Sequence, residues 1–321
     1  MSRPKVLLYE QIHQKGIDYI SKHADILWAS GYDEETLCRE AAEVAGIVIR
    51  AKGAVTAKIM DSAPLLRVIG RHGVGVDNID VAAATERGIY VVNTPGVNNE
   101  AVAEHAVGMM IVLSKRVLEA DRAIRNGHWD FRYEGLGQEM MGQTLGVVGL
   151  GNIGYRVAEI CHTAFNMKIL YCDEVRKLEG ERNLSAEKVG LEALLRSSDY
   201  VSLHVPALPS TYHLINGDNI SLMKNTAFLI NTSRGSVVDT AALYAALKDE
   251  RIAGAGLDVF EEEPLPQDND LLKLPNAVLT PHMASHTEEA MMAMSMVVED
   301  VVRVIQGKIP EHSVNAVDVQ T

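Results

Sequence analysis

Arg234, Glu263 and His282 combine a planar cation, a carboxylate and a side chain that titrates near neutral pH. Each stands just after an apolar run. The runs end in Ile230-Asn231-Thr232-Ser233-Arg234-Gly235-Ser236, Asp258-Val259-Phe260-Glu261-Glu262-Glu263-Pro264 and Thr280-Pro281-His282-Met283-Ala284-Ser285. Such a set suits a reaction in which negative charge develops on a carbonyl oxygen. The arginine holds a carboxylate and the carbonyl in bidentate fashion, and the imidazole delivers a proton. A carboxylate on the far ring nitrogen orients the imidazole and stabilises its protonated form. Taken singly, each residue also has a structural reading: Arg234 as a surface ion pair, Glu263 as one charge of a solvated acidic run, His282 as a cap on the final helix.

A second pattern decides between these readings. Val147-Val148-Gly149-Leu150-Gly151-Asn152-Ile153-Gly154 is an apolar run that ends in Gly-x-Gly-x-x-Gly and opens into Tyr155-Arg156-Val157-Ala158. Gly149 permits a tight turn, Gly151 a close approach to a pyrophosphate, and Gly154 close packing of helix on strand. The helix start at Asn152 and Ile153 offers free N–H groups to the anion. A bare match also reads as a plain βα turn. Here a second apolar run, 167–172, ends in Asp173, nineteen residues past Gly154, where a carboxylate accepts from an adenosine ribose and repels a 2′-phosphate. Glu174 adds charge, and Arg176 and Lys177 come late for a phosphate clamp. The expected cofactor is NAD rather than NADP, and the chemistry beside it is hydride transfer to a 2-oxo acid.

The elements that must position these residues alternate. Residues 5–9, 26–29, 46–50, 66–70 and 90–93 read as strands, and 14–22, 33–41, 56–62 and 81–87 as helices. After the cluster Asn93-Thr94-Pro95-Gly96-Val97-Asn98-Asn99, residues 100–125 read as one long helical stretch, with His105 among its apolar positions. A polar, glycine-rich segment carrying Trp129, Phe131 and Tyr133 follows. A second series begins with the glycine loop and continues through strands at 168–172, 200–204, 227–231, 254–258 and 277–280, with helices near 191–196, 218–223, 240–248 and 266–274, the last short or irregular. The final run, 288–305, has no strand after it and is free to cross back onto the first domain. The expected class is α/β, with two doubly wound parallel-sheet domains: 1–98 plus 288–321, and 99–287.

In such sheets ligands sit beyond the carboxyl ends of strands, which draws attention to two basic segments of the first domain. Arg50-Ala51-Lys52-Gly53 follows one strand and Arg71-His72-Gly73-Val74-Gly75-Val76-Asp77 another. Gly73-Val74-Gly75 reads either as a simple turn or as a carboxylate cradle of N–H groups. Arg50, Lys52, Arg71 and His72 read either as holders of a distal anion or as ordinary solvated charges.

Composition limits the alternatives. The 321 residues are 47% hydrophobic, enough for two ordinary cores. With 30 basic and 43 acidic residues the net charge is −13, which argues against nucleic acid or an anionic membrane as partner. Cys38, Cys161 and Cys172 lack metal-type spacing and read as buried, reduced thiols. No apolar stretch approaches the ~18 residues of a membrane span, so a cytoplasmic protein is expected. His286 follows His282 by four residues and would share a helix face with it, but no third ligand accompanies the pair, so no metal is expected.

Over nearly its whole length the chain resembles the D-isomer-specific 2-hydroxyacid dehydrogenases. The motifs that carry the resemblance are Gly73-Val74-Gly75-Val76-Asp77-Asn78, the 149–154 fingerprint with Asp173, Asn231-Thr232-Ser233-Arg234-Gly235, the Asp258 to Pro264 run and Thr280-Pro281-His282. The resemblance implies a Rossmann NAD-binding domain and a flavodoxin-like substrate domain. It implies Arg234, Glu263 and His282 as the catalytic triad, Thr232 and Asp258 at the cofactor, and the backbone at Val74 and Gly75 on the substrate carboxylate. It also implies a homodimer through the helix after Asn99. Similarity is strongest to the phosphoglycerate dehydrogenase-like branch, with 3-phosphoglycerate or glycerate, hydroxypyruvate and glyoxylate as substrate types. A formate dehydrogenase is disfavoured, since that branch uses glutamine where Glu263 stands. The alternative from another class is an NAD-sensing, corepressor-like module that binds peptides.

Overall fold

The computed structural model describes residues 3–317. Two compact units emerge, Met1–Asn98 with His286–Thr321, and Asn99–Ser285. The second crossing thus falls two residues ahead of the expected 287/288 division. The reason is local: Thr287 caps the helix Glu288–Ser295, its hydroxyl accepting from Ala290 N at 3.2 Å, and that helix belongs to the first unit.

In the first unit β1 (Lys5–Leu8), β2 (Asp25–Trp28), β3 (Gly46–Ile49), β4 (Val68–Arg71) and β5 (Tyr90–Val92) form a parallel sheet in the order β2-β1-β3-β4-β5. This is the flavodoxin-like doubly wound order. Successive side chains alternate between the two faces. Leu7, Ile47, Ile49 and Ile69 pack with Leu37 and Ile59, whereas Val6, Leu8, Val48 and Val68 pack with Val297 and Val301. Both faces are covered, which is why these strands read as continuous apolar runs. The helix Val297–Ile305 buries five valines and brings the far end of the chain onto this sheet.

In the second unit β6 (Thr144–Val148), β7 (Lys168–Cys172), β8 (Glu187–Lys188), β9 (Tyr200–Leu203), β10 (Phe228–Asn231), β11 (Gly254–Leu257) and β12 (Ala277–Leu279) form a second parallel sheet. Its order is β12-β11-β10-β9-β6-β7-β8. The chain winds outward from β6 to β8, then returns to β9 on the other side of β6. That reversal makes the end of β6 a topological switch point, and the glycine turn lies there. β8 has no counterpart in the sequence reading because both of its residues are exposed and charged.

Two long helical stretches are divided. Residues 100–125 form Asn99–Ser114 and Val117–Arg125, separated at Arg116 (φ +54°). The Ser114 carbonyl accepts from Gln138 N at 2.7 Å, and Arg116 turns onto Glu119 and the Phe131 ring. Residues 288–305 form Glu288–Ser295 and Val297–Ile305. Near the break, Ser295 Oγ donates back to the Met291 carbonyl at 2.7 Å, a bond that bends helices. Of the three thiols, Cys161 alone is buried, and burial pushes it up to about 12; Cys38 and Cys172 are partly exposed, short of the expectation. No helix among the described residues is long and apolar enough to cross a membrane.

The buried Ser295 hydroxyl also accepts from His13 N at 2.8 Å and lies 3.0 Å from His72 Nε2. Ser295→Ala leaves both donors without an acceptor. Denaturant unfolding should show a loss of about 1–3 kcal/mol with helix content unchanged; an unaltered midpoint would mean that these bonds are dispensable.

Candidate active site

The turn after β6 is built as its glycines require. Gly149 has φ +89°, and a Cβ there would lie 2.8 Å from the His204 carbonyl. At Gly154 a Cβ would lie 2.2 Å from the Gly149 carbonyl, so helix and strand meet closer than any side chain allows. Nothing stands within 4 Å of a Cβ at Gly151, which faces open space. No side chain caps the first turn of the helix Asn152–Phe165, leaving its leading N–H groups for an anion. Asp173, at the end of β7, accepts from Leu150 N at 3.0 Å and Val175 N at 3.1 Å. Each carboxylate oxygen therefore keeps capacity for a hydroxyl. Lys177 Nζ lies 3.5 Å from Asp173, and Arg176 is held by Glu181 at 2.8 Å. Thr232 Oγ1, beyond β10, is buried and has no hydrogen-bond partner among the described residues. An open glycine turn, an uncapped helix start and an unpartnered buried hydroxyl fit a dinucleotide.

Asp258, at the end of β11, has its carboxylate 1% exposed. Its Oδ1 accepts from Thr280 Oγ1 at 2.6 Å and Met283 N at 2.8 Å, and its Oδ2 from Ala284 N at 2.8 Å. The Asp258 carbonyl accepts from His282 N at 2.8 Å. One residue thus folds the whole loop that carries His282, and this explains how a histidine is kept at φ +49°. That left-handed conformation costs about 1–2 kcal/mol in isolation. His282 is not a helix cap, and neither it nor His286 is helical, so the two share no helix face.

The fold brings Arg234, Glu263 and His282 together. His282 Nδ1 lies 2.7 Å from Glu263 Oε2, and Glu263 Oε1 accepts from Phe260 N at 2.9 Å. Burial alone would raise the Glu263 carboxyl. The His282 bond, the Phe260 N–H and the Arg234 charge outweigh it and hold the carboxyl below its ordinary range. Glu263 is therefore not one solvated acid among three. Its neighbour Glu261 is also engaged, with His213 Nε2 at 2.6 Å and Thr240 N at 2.9 Å. Asn231 shapes the arginine turn, its Nδ2 donating to the Arg234 carbonyl at 2.9 Å. At Gly235 a Cβ would fall 1.9 Å from the Phe260 carbonyl. Only glycine lets the arginine turn press against the strand end that leads to Glu263.

In the first unit the basic residues separate. Val74 and Gly75 make no N–H hydrogen bond among the described residues, as a carboxylate cradle requires. Lys52 is exposed, with its Nζ over the Tyr32 ring at 5.4 Å. The His72 ring is buried against Ser295, and burial with the charges of Arg50 and Arg71 pushes it down to about 4. This favours the neutral ring at physiological pH. Arg71 donates to the His72 carbonyl, folding along its own loop. Arg50 lines a pocket with His13 and His286.

Sequence reasoning missed His105, which reads as one apolar helix position. Its Nε2 lies 3.0 Å from Thr280 Oγ1 and 3.7 Å from Asp258 Oδ1, so it supports the same loop. A histidine on an otherwise apolar helical face was the available signal.

The family described as "D-isomer specific 2-hydroxyacid dehydrogenase, NAD binding domain" matches residues 107–284. A glyoxylate reductase of Korarchaeum cryptofilum is 43% identical over 98% of this chain and 96% of its own. A D-3-phosphoglycerate dehydrogenase of Archaeoglobus fulgidus is 40% identical over 98% of this chain and 60% of its own. Among solved structures, an NADPH-dependent glyoxylate/hydroxypyruvate reductase of Sinorhizobium meliloti superposes with a TM-score of 0.87 at 32% identity, covering 98% of this chain and 97% of its own.

Removing the Asp258 carboxylate should release the loop it organises. In Asp258→Ala the Met283 and Ala284 amides should exchange with solvent roughly 10–100-fold faster, as loss of a charged acceptor implies. Undiminished protection would show that the loop holds its shape without it.

Proposed function

Since the chain belongs to the D-isomer specific 2-hydroxyacid dehydrogenase family, we propose that Arg234, Glu263 and His282 are the residues with which it interconverts a D-2-hydroxy acid and its 2-oxo acid. The observation that carries this is the 2.7 Å bond between His282 Nδ1 and a Glu263 carboxylate that Arg234 also keeps ionised. With Nδ1 committed to Glu263, Nε2 is the ring nitrogen left for the substrate oxygen. In the reduction direction His282 gives its proton to the carbonyl oxygen as negative charge develops there. Glu263 fixes the ring, and Arg234 binds the carboxylate and polarises the carbonyl. Val74 and Gly75 offer their N–H groups to the substrate carboxylate.

NAD, when bound, supplies or accepts the hydride. The Gly149 to Gly154 turn, with Asn152 and Ile153, would hold its pyrophosphate, Asp173 its ribose, and Thr232 and Asp258 its nicotinamide end. The names of the relatives favour a small 2-oxo acid of the glyoxylate, hydroxypyruvate or 3-phosphohydroxypyruvate kind.

The chain also has a surface suited to self-association. The Val117–Arg125 helix buries none of its residues and exposes Val117, Leu118 and Ile124, close in sequence to exposed Trp129, Tyr133 and Leu136. Such an apolar patch favours a covering partner, and a second copy of the chain in a homodimer is our reading. The unpaired Cys38, Cys161 and Cys172 support a cytoplasmic setting.

His282→Ala should lower kcat for reduction by about 10²–10⁴-fold while NADH binding, followed by fluorescence, persists; a variant at full rate would end the acid–base role. Glu263→Gln removes the carboxylate that accepts from His282 Nδ1 and orients the ring, so kcat for reduction should fall about tenfold or more while NADH binding persists. An unchanged kcat would leave Glu263 a structural part only.

The Asp173 carboxylate would face a 2′-phosphate as a like charge. NADH should therefore outperform NADPH by roughly a hundredfold in kcat/KM. Equal use of the two would show that Lys177, beside Asp173, has taken over as a phosphate partner.

A further inference from the structure

The segment after β7 carries two cations close behind Asp173, and each meets an acid. Lys177 Nζ lies 3.5 Å from Asp173 Oδ2. Arg176 is turned instead to Glu181, on the helix Leu178–Asn183. Its Nε lies 2.9 and 2.8 Å from the two carboxylate oxygens, and its Nη2 lies 2.8 Å from Oε2. The guanidinium thus meets the carboxylate through two nitrogens, in the geometry that makes such pairs strong and directional. Glu181 is fixed in turn by the buried Tyr171, whose hydroxyl donates to Glu181 Oε1 at 2.7 Å and accepts from Lys177 N at 2.9 Å. One phenol therefore sets both the acid that holds Arg176 and the backbone beside that arginine. The bonds from Arg176 and Tyr171 hold the Glu181 carboxyl below its ordinary range. The nearby Lys188 donates to the Glu174 carbonyl at 3.1 Å.

Arg176 follows Asp173 by three residues, so their Cα atoms lie within about 11 Å of each other. The Arg176 side chain is 70% exposed, and a guanidinium released from Glu181 is in range of the ribose that Asp173 would hold. Its planar fork is the group best suited to a phosphate there. An exposed ion pair is weak when its geometry is loose, so the hold on Arg176 depends on the paired contacts and on Tyr171 behind them.

We propose that Glu181 is a specificity-determining residue for the nucleotide: by holding Arg176 it withholds the cation that a 2′-phosphate needs, so preference for NADH is set by Glu181 as well as by Asp173. The inference rests on the reading of Asp173 as the residue at the ribose. Glu181 acts through Arg176, as a positioning residue.

The test titrates the protein with NADH and with NADPH, without substrate, and reads binding from nucleotide fluorescence. Glu181→Gln keeps an acceptor for Tyr171 and removes the charge. It should tighten NADPH binding about fivefold or more and leave NADH binding unchanged. Arg176→Ala alone should alter neither affinity, and in the Glu181→Gln background it should abolish the gain for NADPH. Glu181→Ala is the second variant, and whichever of the two retains wild-type NADH affinity carries the test. A gain that persists without Arg176, no gain at all, or loss of NADH affinity in both variants overturns the proposal. Weakened NADPH binding in Arg176→Ala alone overturns it too, since Arg176 would then already serve the phosphate. Equal wild-type affinities for the two nucleotides would remove the Asp173 reading, and this inference with it. A wild-type preference for NADH that Glu181→Gln leaves intact would keep the Asp173 reading and overturn this inference alone.

Discussion

A carboxylate taken out of water must be met by donors, and the burial of Asp258 is the constraint on which the catalytic loop depends. Its two oxygens and its carbonyl collect Thr280, His282, Met283 and Ala284 into a single turn. The left-handed backbone at His282 follows from those bonds, and so does the meeting of His282 with Glu263. His105 extends the same network into the Asn99–Ser114 helix, the first long element of the unit. A site built in this way has its geometry set by satisfied polar groups one layer behind the reacting side chains, which is how a loop acquires the precision that acid–base chemistry needs.

Burial also sorts residues of one type into different uses. His72 and His286 both belong to the first unit, and both stand near Arg50 in the electrostatics or the pocket lining. His72 is enclosed, and the cost of desolvating a charge beside two arginines leaves it neutral and structural. His286 is exposed. The acidic run behaves likewise: Glu261 is tied to His213, and Glu263 to His282. Two acids of one short run thus acquire different roles through the groups they touch. Glycine acts on a different scale. Gly235 brings two backbone segments closer than any side chain would allow, and the arginine turn meets the carboxylate loop through that contact.

The local patterns were sufficient for much of this. The spacing of Gly149, Gly151, Gly154 and Asp173 announces a strand, turn, helix and acid because each position answers a backbone or ligand requirement confined to a short stretch of chain. The alternating apolar runs announce parallel sheets because strands covered on both faces need no polar side. Arg234, Glu263 and His282 were legible as strand-end residues of the right chemistry. The breaks at Arg116 and Met296 were not, since helical periodicity persists through both; at the first the Ser114 carbonyl accepts from Gln138 N, and near the second Ser295 Oγ donates back to the Met291 carbonyl.

By itself, then, the sequence determined what is short-range: the fold class, the dinucleotide turn, and the residue types able to move a proton and hold a carboxylate. Which of those residues remain available was decided only by tertiary structure. The burial of His72 and the turning of Lys52 onto Tyr32 depend on neighbours far along the chain, as does the recruitment of His105. The physical reason is that a side chain's charge and hydrogen-bonding capacity are set by its solvent exposure and by partners distant in sequence, which no local pattern records.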